Sequence, residues 1–347
     1  MLSKTRQDKI VRDQSGGGSD LRAARERLGK TAAVFPGQGS QYLGMGFRLY
    51  ERFAEVREVF KDASAILGWD LWGLCSSGPE EELRETGRSQ PAIFTLSYAM
   101  YRLLKNSGWQ PGLVAGHSLG EFTAAVAAGA LPFADGVRVV AERGRLMAQA
   151  AERNPGAMLA VLGADRRAVE EAVGGLKGEG QGRGRRKGRG RGIVQIANYN
   201  CPGQVVVSLE RGLLGPVKSE LSSIAKRVVE LPVSGGFHSP LMEGAKEEFS
   251  RFFRGIELKE PEVPIFLNTI LAPSRDPERI KGALIEQMTS PVRWEEAIER
   301  MISSGIKAFV EVGPKDVLAR LIERIDRATY VVVTDGRDPQ EVIAQLS

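Results

Sequence analysis

The chain has 347 residues, 42% of them hydrophobic, enough for one large or two medium domains around a sizeable core. Its two cysteines, Cys75 and Cys201, lie far apart and outside any metal-ligand spacing, which excludes a disulfide framework and a cysteine zinc site and suits a reducing, cytoplasmic setting. The net charge of +5 does not mark a nucleic-acid binder, because it is local: between Gly174 and Gly192 seven Lys or Arg against one Glu leave +6, and the rest of the chain carries −1.

Residues 1–30 are polar, broken by Gly16-Gly17-Gly18, and lack the apolar core of a signal peptide. They read as a flexible tail; Asp8, Asp13 and Asp20 speak against an organellar transit peptide. The fold is expected to begin near Thr31. Ala32 to Phe35 is a short apolar strand that runs into the glycine turn Pro36-Gly37-Gln38-Gly39-Ser40-Gln41, by itself an ordinary connection. Helices are expected over about 50–67, from Pro79-Glu80-Glu81-Glu82, and over 91–107. The last places Ile93, Leu96, Met100, Leu103 and Leu104 on one core-facing stripe.

Leu113-Val114-Ala115 leads into Gly116-His117-Ser118-Leu119-Gly120-Glu121 and then a small-residue run to Ala130. This spells strand, sharp turn, helix. A serine flanked at two residues by glycines fits a nucleophile elbow, and the free amides of the following helix can face a developing oxyanion. A further helix, 134–150, carries Glu142-Arg143-Gly144-Arg145, and spacing alone does not choose between its arginines.

Residues 154–232 follow their own order: strand 158–162, helix 166–176, strands 193–197 and 204–209, helix 215–224 and strand 227–231. That is βαββαβ, a ferredoxin-like subdomain. The basic Gly/Arg run, 174–192, falls in a loop of this unit. With nine glycines and no interleaved aromatic ring it predicts a solvated segment rather than a base-stacking one. Alternating elements then resume at 241–253, 263–267, 280–289, 292–303, 308–312, 315–325 and 330–333. The predicted architecture is a three-layer α/β-hydrolase-like large subdomain, residues 31–153 and 233–347, into which the small ferredoxin-like subdomain is inserted. No apolar run is long enough to cross a membrane.

A serine nucleophile needs a base within hydrogen-bond reach. There are two histidines. His117 immediately precedes Ser118 and should point away from its hydroxyl as a structural residue. By elimination the base of an active Ser118 is His238, in Pro232-Val-Ser-Gly-Gly-Phe-His238-Ser-Pro-Leu-Met242. More than 100 residues follow it, whereas the histidine of an ordinary α/β-hydrolase comes late, after an acid.

From about Ala32 to Val333 the sequence resembles the malonyl-CoA:acyl carrier protein transacylases and, more widely, the acyltransferase domains of fatty acid and polyketide synthases. The resemblance rests on Phe35-Pro-Gly-Gln-Gly-Ser-Gln41, Gln90-Pro91-Ala92, Gly116 to Glu121, Arg143-Gly144, Ala197-Asn-Tyr-Asn-Cys-Pro-Gly-Gln204, Phe237 to Met242, Gln287 to Trp294 and Glu311-Val-Gly-Pro314, eight motifs in order. It implies that Ser118 is acylated by malonyl-CoA and that His238 takes its proton and later activates the carrier's phosphopantetheine thiol, in ping-pong fashion. It further implies that the main-chain carbonyl of Gln287 orients His238 in place of an acid. The amides of Gln38 and Leu119 become the oxyanion hole, and Arg143 the receptor for the malonyl carboxylate. Phe237 would exclude a 2-methyl branch, and Gln90 and Asn200 are candidate substrate contacts.

The implied enzyme is a monomer that needs no metal and no cofactor, since the coenzyme A thioester is a substrate and phosphopantetheine belongs to the holo acyl carrier protein. Its partners are malonyl-CoA and that carrier, without membrane or nucleic acid. The tail, the basic run and Lys315, where relatives often have glycine, depart from the pattern and are expected to lie away from the chemistry. Alternatives are a polyketide-type acyltransferase with another acyl-CoA, a serine thioesterase or hydrolase, and a non-catalytic scaffold. An intact Ser118 and His238 argue against the last.

Overall fold

The computed structural model describes residues 31–178 and 192–346; the tail 1–30 and residues 179–191 of the basic run lie outside them. Eleven strands are found there: β1 (Thr31–Phe35), β2 (Leu113–Gly116), β3 (Gly156–Leu162), β4 (Val194–Cys201), β5 (Gln204–Glu210), β6 (Arg227–Glu230), β7 (Ile265–Leu267), β8 (Ala272–Ser274), β9 (Val292–Arg293), β10 (Ala308–Glu311) and β11 (Tyr330–Val333). They form two sheets. The first has the order β11-β10-β1-β2-β7-β8, parallel except that β8 runs against β7. The second has the order β6-β3-β5-β4-β9, antiparallel except that β9 runs along β4.

The central strand β1 shows why the first sheet is covered on both faces. Every residue in it is buried, and successive side chains point to opposite sides. Ala33 and Phe35 join the core built on helices Ala54–Leu67, Thr86–Asn106, Gly120–Ala127 and Phe133–Arg153. Ala32 and Val34 join the core of Trp294–Ser303 and Val317–Ile325. In the second sheet Leu159, Val161, Val207 and Leu209 pack against helices Arg166–Gly178 and Leu214–Ile224, while Met158, Ala197 and Val206 face the first core.

Several elements differ from the sequence reading. The helix expected over 50–67 breaks at Phe53, whose extended backbone separates Phe47–Arg52 from Ala54–Leu67. The helix expected to open at Pro91 begins at Thr86 and holds the proline inside, at the cost of a donor to the Gly87 carbonyl. The segment 292–303 opens as β9, drawn straight by pairing Val292 with Asn198 and Arg293 with Tyr199 before the helix starts. Helices Leu71–Ser77 and Pro339–Ala344 were not foreseen at all; each is short and is started by an aspartate cap, Asp70 or Asp338.

Candidate active site

The ends of β1 and β2 meet at the elbow. Ser118 has φ +54°, a left-handed conformation that a side chain bearing residue adopts only under constraint from its surroundings. Both glycines of the motif are demanded by close approach. A Cβ on Gly116 would lie 1.8 Å from the carbonyl carbon of Gly120, and one on Gly120 would lie 1.9 Å from the Phe35 carbonyl oxygen. The His117 amide donates to that same Phe35 oxygen, 3.0 Å, and so ties the elbow to β1.

His238, also at positive φ (+56°), is 3% exposed and reaches Ser118 Oγ with Nε2 at 2.8 Å. Its Nδ1 lies 2.7 Å from the Gln287 carbonyl oxygen and 3.2 Å from that of Ser290. Carbonyls only accept, so Nδ1 carries the proton and Nε2 is bare toward the serine hydroxyl. Burial first, then the Arg143 guanidinium, push His238 down to about 3, against the pull of the two carbonyls. The imidazole is therefore neutral and able to take a proton.

Arg143 is 1% exposed, whereas Arg145 pairs with Glu142 at the surface. Of the two arginines, Arg143 is the one that contacts Ser118. Arg143 Nη1 donates to Gln90 Oε1 (2.8 Å), and Nη2 donates to Gln287 Oε1 (2.7 Å) and Ser118 Oγ (3.1 Å), while Nε has no partner among the described residues. Burial lowers it to about 10, so it stays charged at neutral pH, with Glu121 as the opposing charge.

Gln38 and Leu119 line the same cleft as Ser118, and their amides donate to no acceptor among the described residues. Gln38 is held through its side chain, Nε2 to Thr86 Oγ1 at 3.2 Å. A cleft of about 540 Å³ joins these groups, lined by Gln38, Ser118, Leu119, Arg143, Phe237 and His238 on one side and by Met158, Asn198, Asn200 and Val206 of the second sheet on the other. A larger groove, about 950 Å³ beside Trp69 and Phe252, has its arginines already paired, Arg84 with Glu80, Arg88 with Glu82, Arg138 with Asp135 and Arg145 with Glu142.

Not every expected contact is open to a ligand. Gln90 is buried and spends its amide on Arg143 and the Met147 sulfur, so it supports the arginine. Asn200 Oδ1 accepts from His117 Nε2, 3.0 Å, and His117 turns to it rather than to Ser118. Lys315 is a correction. It lines the cleft at φ +63° and its Nζ donates to the Gly39 carbonyl at 3.2 Å, inside the turn that carries Gln38.

Gln195, Glu121 and Asn268 are given no role by the sequence reading. Gln195 donates to the carbonyls of His238 (2.9 Å) and Thr289 (3.1 Å). Glu121, 1% exposed, accepts from Gln287 Nε2 (2.5 Å) and from the Asn268 amide (2.8 Å) and Nδ2 (3.0 Å). Burial pushes Glu121 up to about 7 despite those donors. A lone acid opening the run Phe122 to Ala127, apolar but for Thr123, was the signal that could have exposed it. Among the described residues no group of three or more His, Cys, Asp or Glu is placed to hold a metal ion, and no helix is long and apolar enough to cross a membrane.

Residues 33–334 match the acyl transferase domain family. A malonyl CoA-acyl carrier protein transacylase of Bacillus subtilis is 39% identical over 321 residues, covering 92% of this chain and 97% of that protein. One of Escherichia coli is 39% identical over 300 residues, covering 85% and 92%. Among solved structures, an acyl carrier protein S-malonyltransferase from Vibrio cholerae superposes with a TM-score of 0.83 at 37% identity over 90% of this chain and 99% of that one. A malonyl-transacylase in complex with its type II PKS acyl-carrier protein gives 0.84 at 35% identity, over 91% and 99%.

Proposed function

The chain belongs to the acyl transferase domain family, and we propose that it carries the malonyl group from malonyl-CoA to the phosphopantetheine thiol of acyl carrier protein, for fatty acid synthesis, through a malonyl ester on Ser118. The observation that carries this reading is Arg143: a buried guanidinium 3.1 Å from the serine oxygen. In malonyl one methylene separates the ester carbonyl from the carboxylate, so an acyl group on Ser118 holds its charge within reach of that cation. The serine contact is the one Arg143 can exchange for the carboxylate, and a guanidinium meets a carboxylate with two hydrogen bonds.

In the first half-reaction His238 Nε2 takes the hydroxyl proton as Oγ attacks the thioester carbonyl. The Gln38 and Leu119 amides receive the oxyanion. Collapse breaks the carbon–sulfur bond, and the coenzyme A thiolate leaves with the proton from His238. In the second half the carrier thiol gives its proton to His238 and attacks the ester; Ser118 recovers its proton as it leaves. The Gln287 and Ser290 carbonyls stabilise the imidazolium formed in each half, which is why no acid is needed.

Every group named comes from one chain, which fits a monomer. Phe237, nearly buried at the cleft wall, fills the space a 2-methyl branch would take. The fold is read as an α/β-hydrolase-like large subdomain with a ferredoxin-like insert of residues 154–232, whose strands take the order β6-β3-β5-β4 and gain β9 from outside it. Mass spectrometry after mixing with malonyl-CoA tests the function. A malonyl adduct is expected on the enzyme and absent from Ser118→Ala, and it should move to holo carrier protein rather than to water. No adduct, or loss of the adduct at the same rate without carrier, would refute the transfer.

A further inference from the structure

We propose that Glu121 is a positioning residue: its buried carboxylate fixes the Gln287 amide in the single orientation that serves Arg143 and His238 together. Glu121 opens the helix Gly120–Ala127, pointing inward under the elbow. Glu121 is met only by donors, the Asn268 amide and Nδ2 and Gln287 Nε2, so it acts as an acceptor, and a guanidinium only donates. They meet the Gln287 side chain from opposite ends: Nε2 donates to Glu121 Oε2 and to the Ser118 carbonyl (3.1 Å), and Oε1 accepts from Arg143. A flipped amide would set oxygen against carboxylate and N–H against guanidinium. Only one orientation satisfies both.

The same residue presents its main-chain oxygen to His238 Nδ1, so holding Gln287 aligns the base through the backbone and the carboxylate receptor through the side chain. Glu121 is itself held. Asn268 donates to it twice and anchors to the Gly116 carbonyl through Nδ2, 2.7 Å, while Asn268 Oδ1 is left buried without a partner. That orphaned oxygen shows the asparagine oriented to suit the carboxylate and the elbow. Glu121 and Arg143 also offset each other's buried charge across the amide.

The inference rests on the roles proposed above for Ser118, His238 and Arg143. Malonyl loading of the unsubstituted enzyme tests those roles; the effect of substitutions on two acyl donors tests Glu121. Loading of Ser118 is followed by rapid-quench mass spectrometry with malonyl-CoA and acetyl-CoA, alongside thermal unfolding, for Glu121→Gln, Gln287→Glu and the double variant. Losing a hydrogen bond to a charged group, Glu121→Gln should slow malonyl loading roughly ten- to a hundredfold, and acetyl loading less, because acetyl has no carboxylate for Arg143 to orient.

Gln287→Glu sets two carboxylates against each other and should also be slow. The double variant again opposes an amide to a carboxylate and keeps an acceptor toward Arg143, so it should load malonyl faster than either single variant. If a single variant does not fold, the double variant carries the test by regaining the folding and the measurable malonyl loading that the single variant has lost, and failure to regain either would overturn the proposal. Equal slowing of malonyl and acetyl in folded Glu121→Gln, or a double variant no better than the worse single, would overturn the proposal.

Discussion

Arg143 combines three things rarely found together: full burial, a retained charge and a bond to the serine oxygen. Arg143→Ala should slow malonyl loading by roughly a hundredfold or more, the worth of a buried charged contact, while acetyl loading rises relative to it. An unchanged malonyl-to-acetyl ratio in competition assays would remove Arg143 from its role. His238 gives a pH prediction. Its ordinary value near 6.5 falls to about 3 in the fold, so between these limits the unfolded chain takes up a proton that the folded one refuses. Its contribution to stability is complete above pH 6.5 and is lost as pH falls toward 3. Glu121, raised from 4.5 to about 7, works the opposite way, stabilising the fold as pH falls through its window. The two are separated by comparing variants: His238→Ala should lose less stability between pH 7 and pH 4 than the unsubstituted chain, and parallel denaturation curves would contradict the assignment.

At the scale of elements, the site hangs on strand ends whose exits are held by buried contacts. Glu311 closes β10 and accepts the Leu318 and Ala319 amides, 2.9 and 2.8 Å, at the start of the helix Val317–Ile325, which brings Val317, Leu318 and Leu321 to the cleft. Glu311→Ala leaves two buried N–H groups without acceptors and should cost about 2 kcal/mol or more, read as a lower urea midpoint at unchanged slope. How much of this was legible follows from the range of each interaction. The elbow was readable because Gly116, Ser118 and Gly120 are local neighbours, and the Ser118–His238 contact because only two histidines exist. The pairing of β9 with β4 was not, since two residues, Val292 and Arg293, carry no periodicity and their partners lie nearly a hundred positions earlier. Glu121 to Asn268 and Gln195 to His238 are likewise tertiary contacts between segments whose local patterns are satisfied without them.

The whole molecule places its chemistry between two sheets of different construction. The parallel sheet delivers Ser118 at the end of β2, and the second sheet delivers the wall that holds the base. Gln195, on β4, is where the second sheet grips. Its one amide nitrogen donates to the His238 and Thr289 carbonyls, linking the loop that carries the base to the segment 287–290 that orients it. The positive φ of His238 is sustained by such contacts, together with the Ser208 hydroxyl on the Phe237 carbonyl at 2.5 Å. This support bears on the base and leaves the arginine alone. Gln195→Ala should therefore lower kcat several-fold, about the worth of one or two neutral hydrogen bonds, and lower malonyl and acetyl loading by the same factor. Arg143→Ala should instead change their ratio. Steady-state and single-turnover loading with both donors distinguishes the two, and a Gln195→Ala variant with altered donor preference would mean that the second sheet shapes the acyl pocket rather than the base.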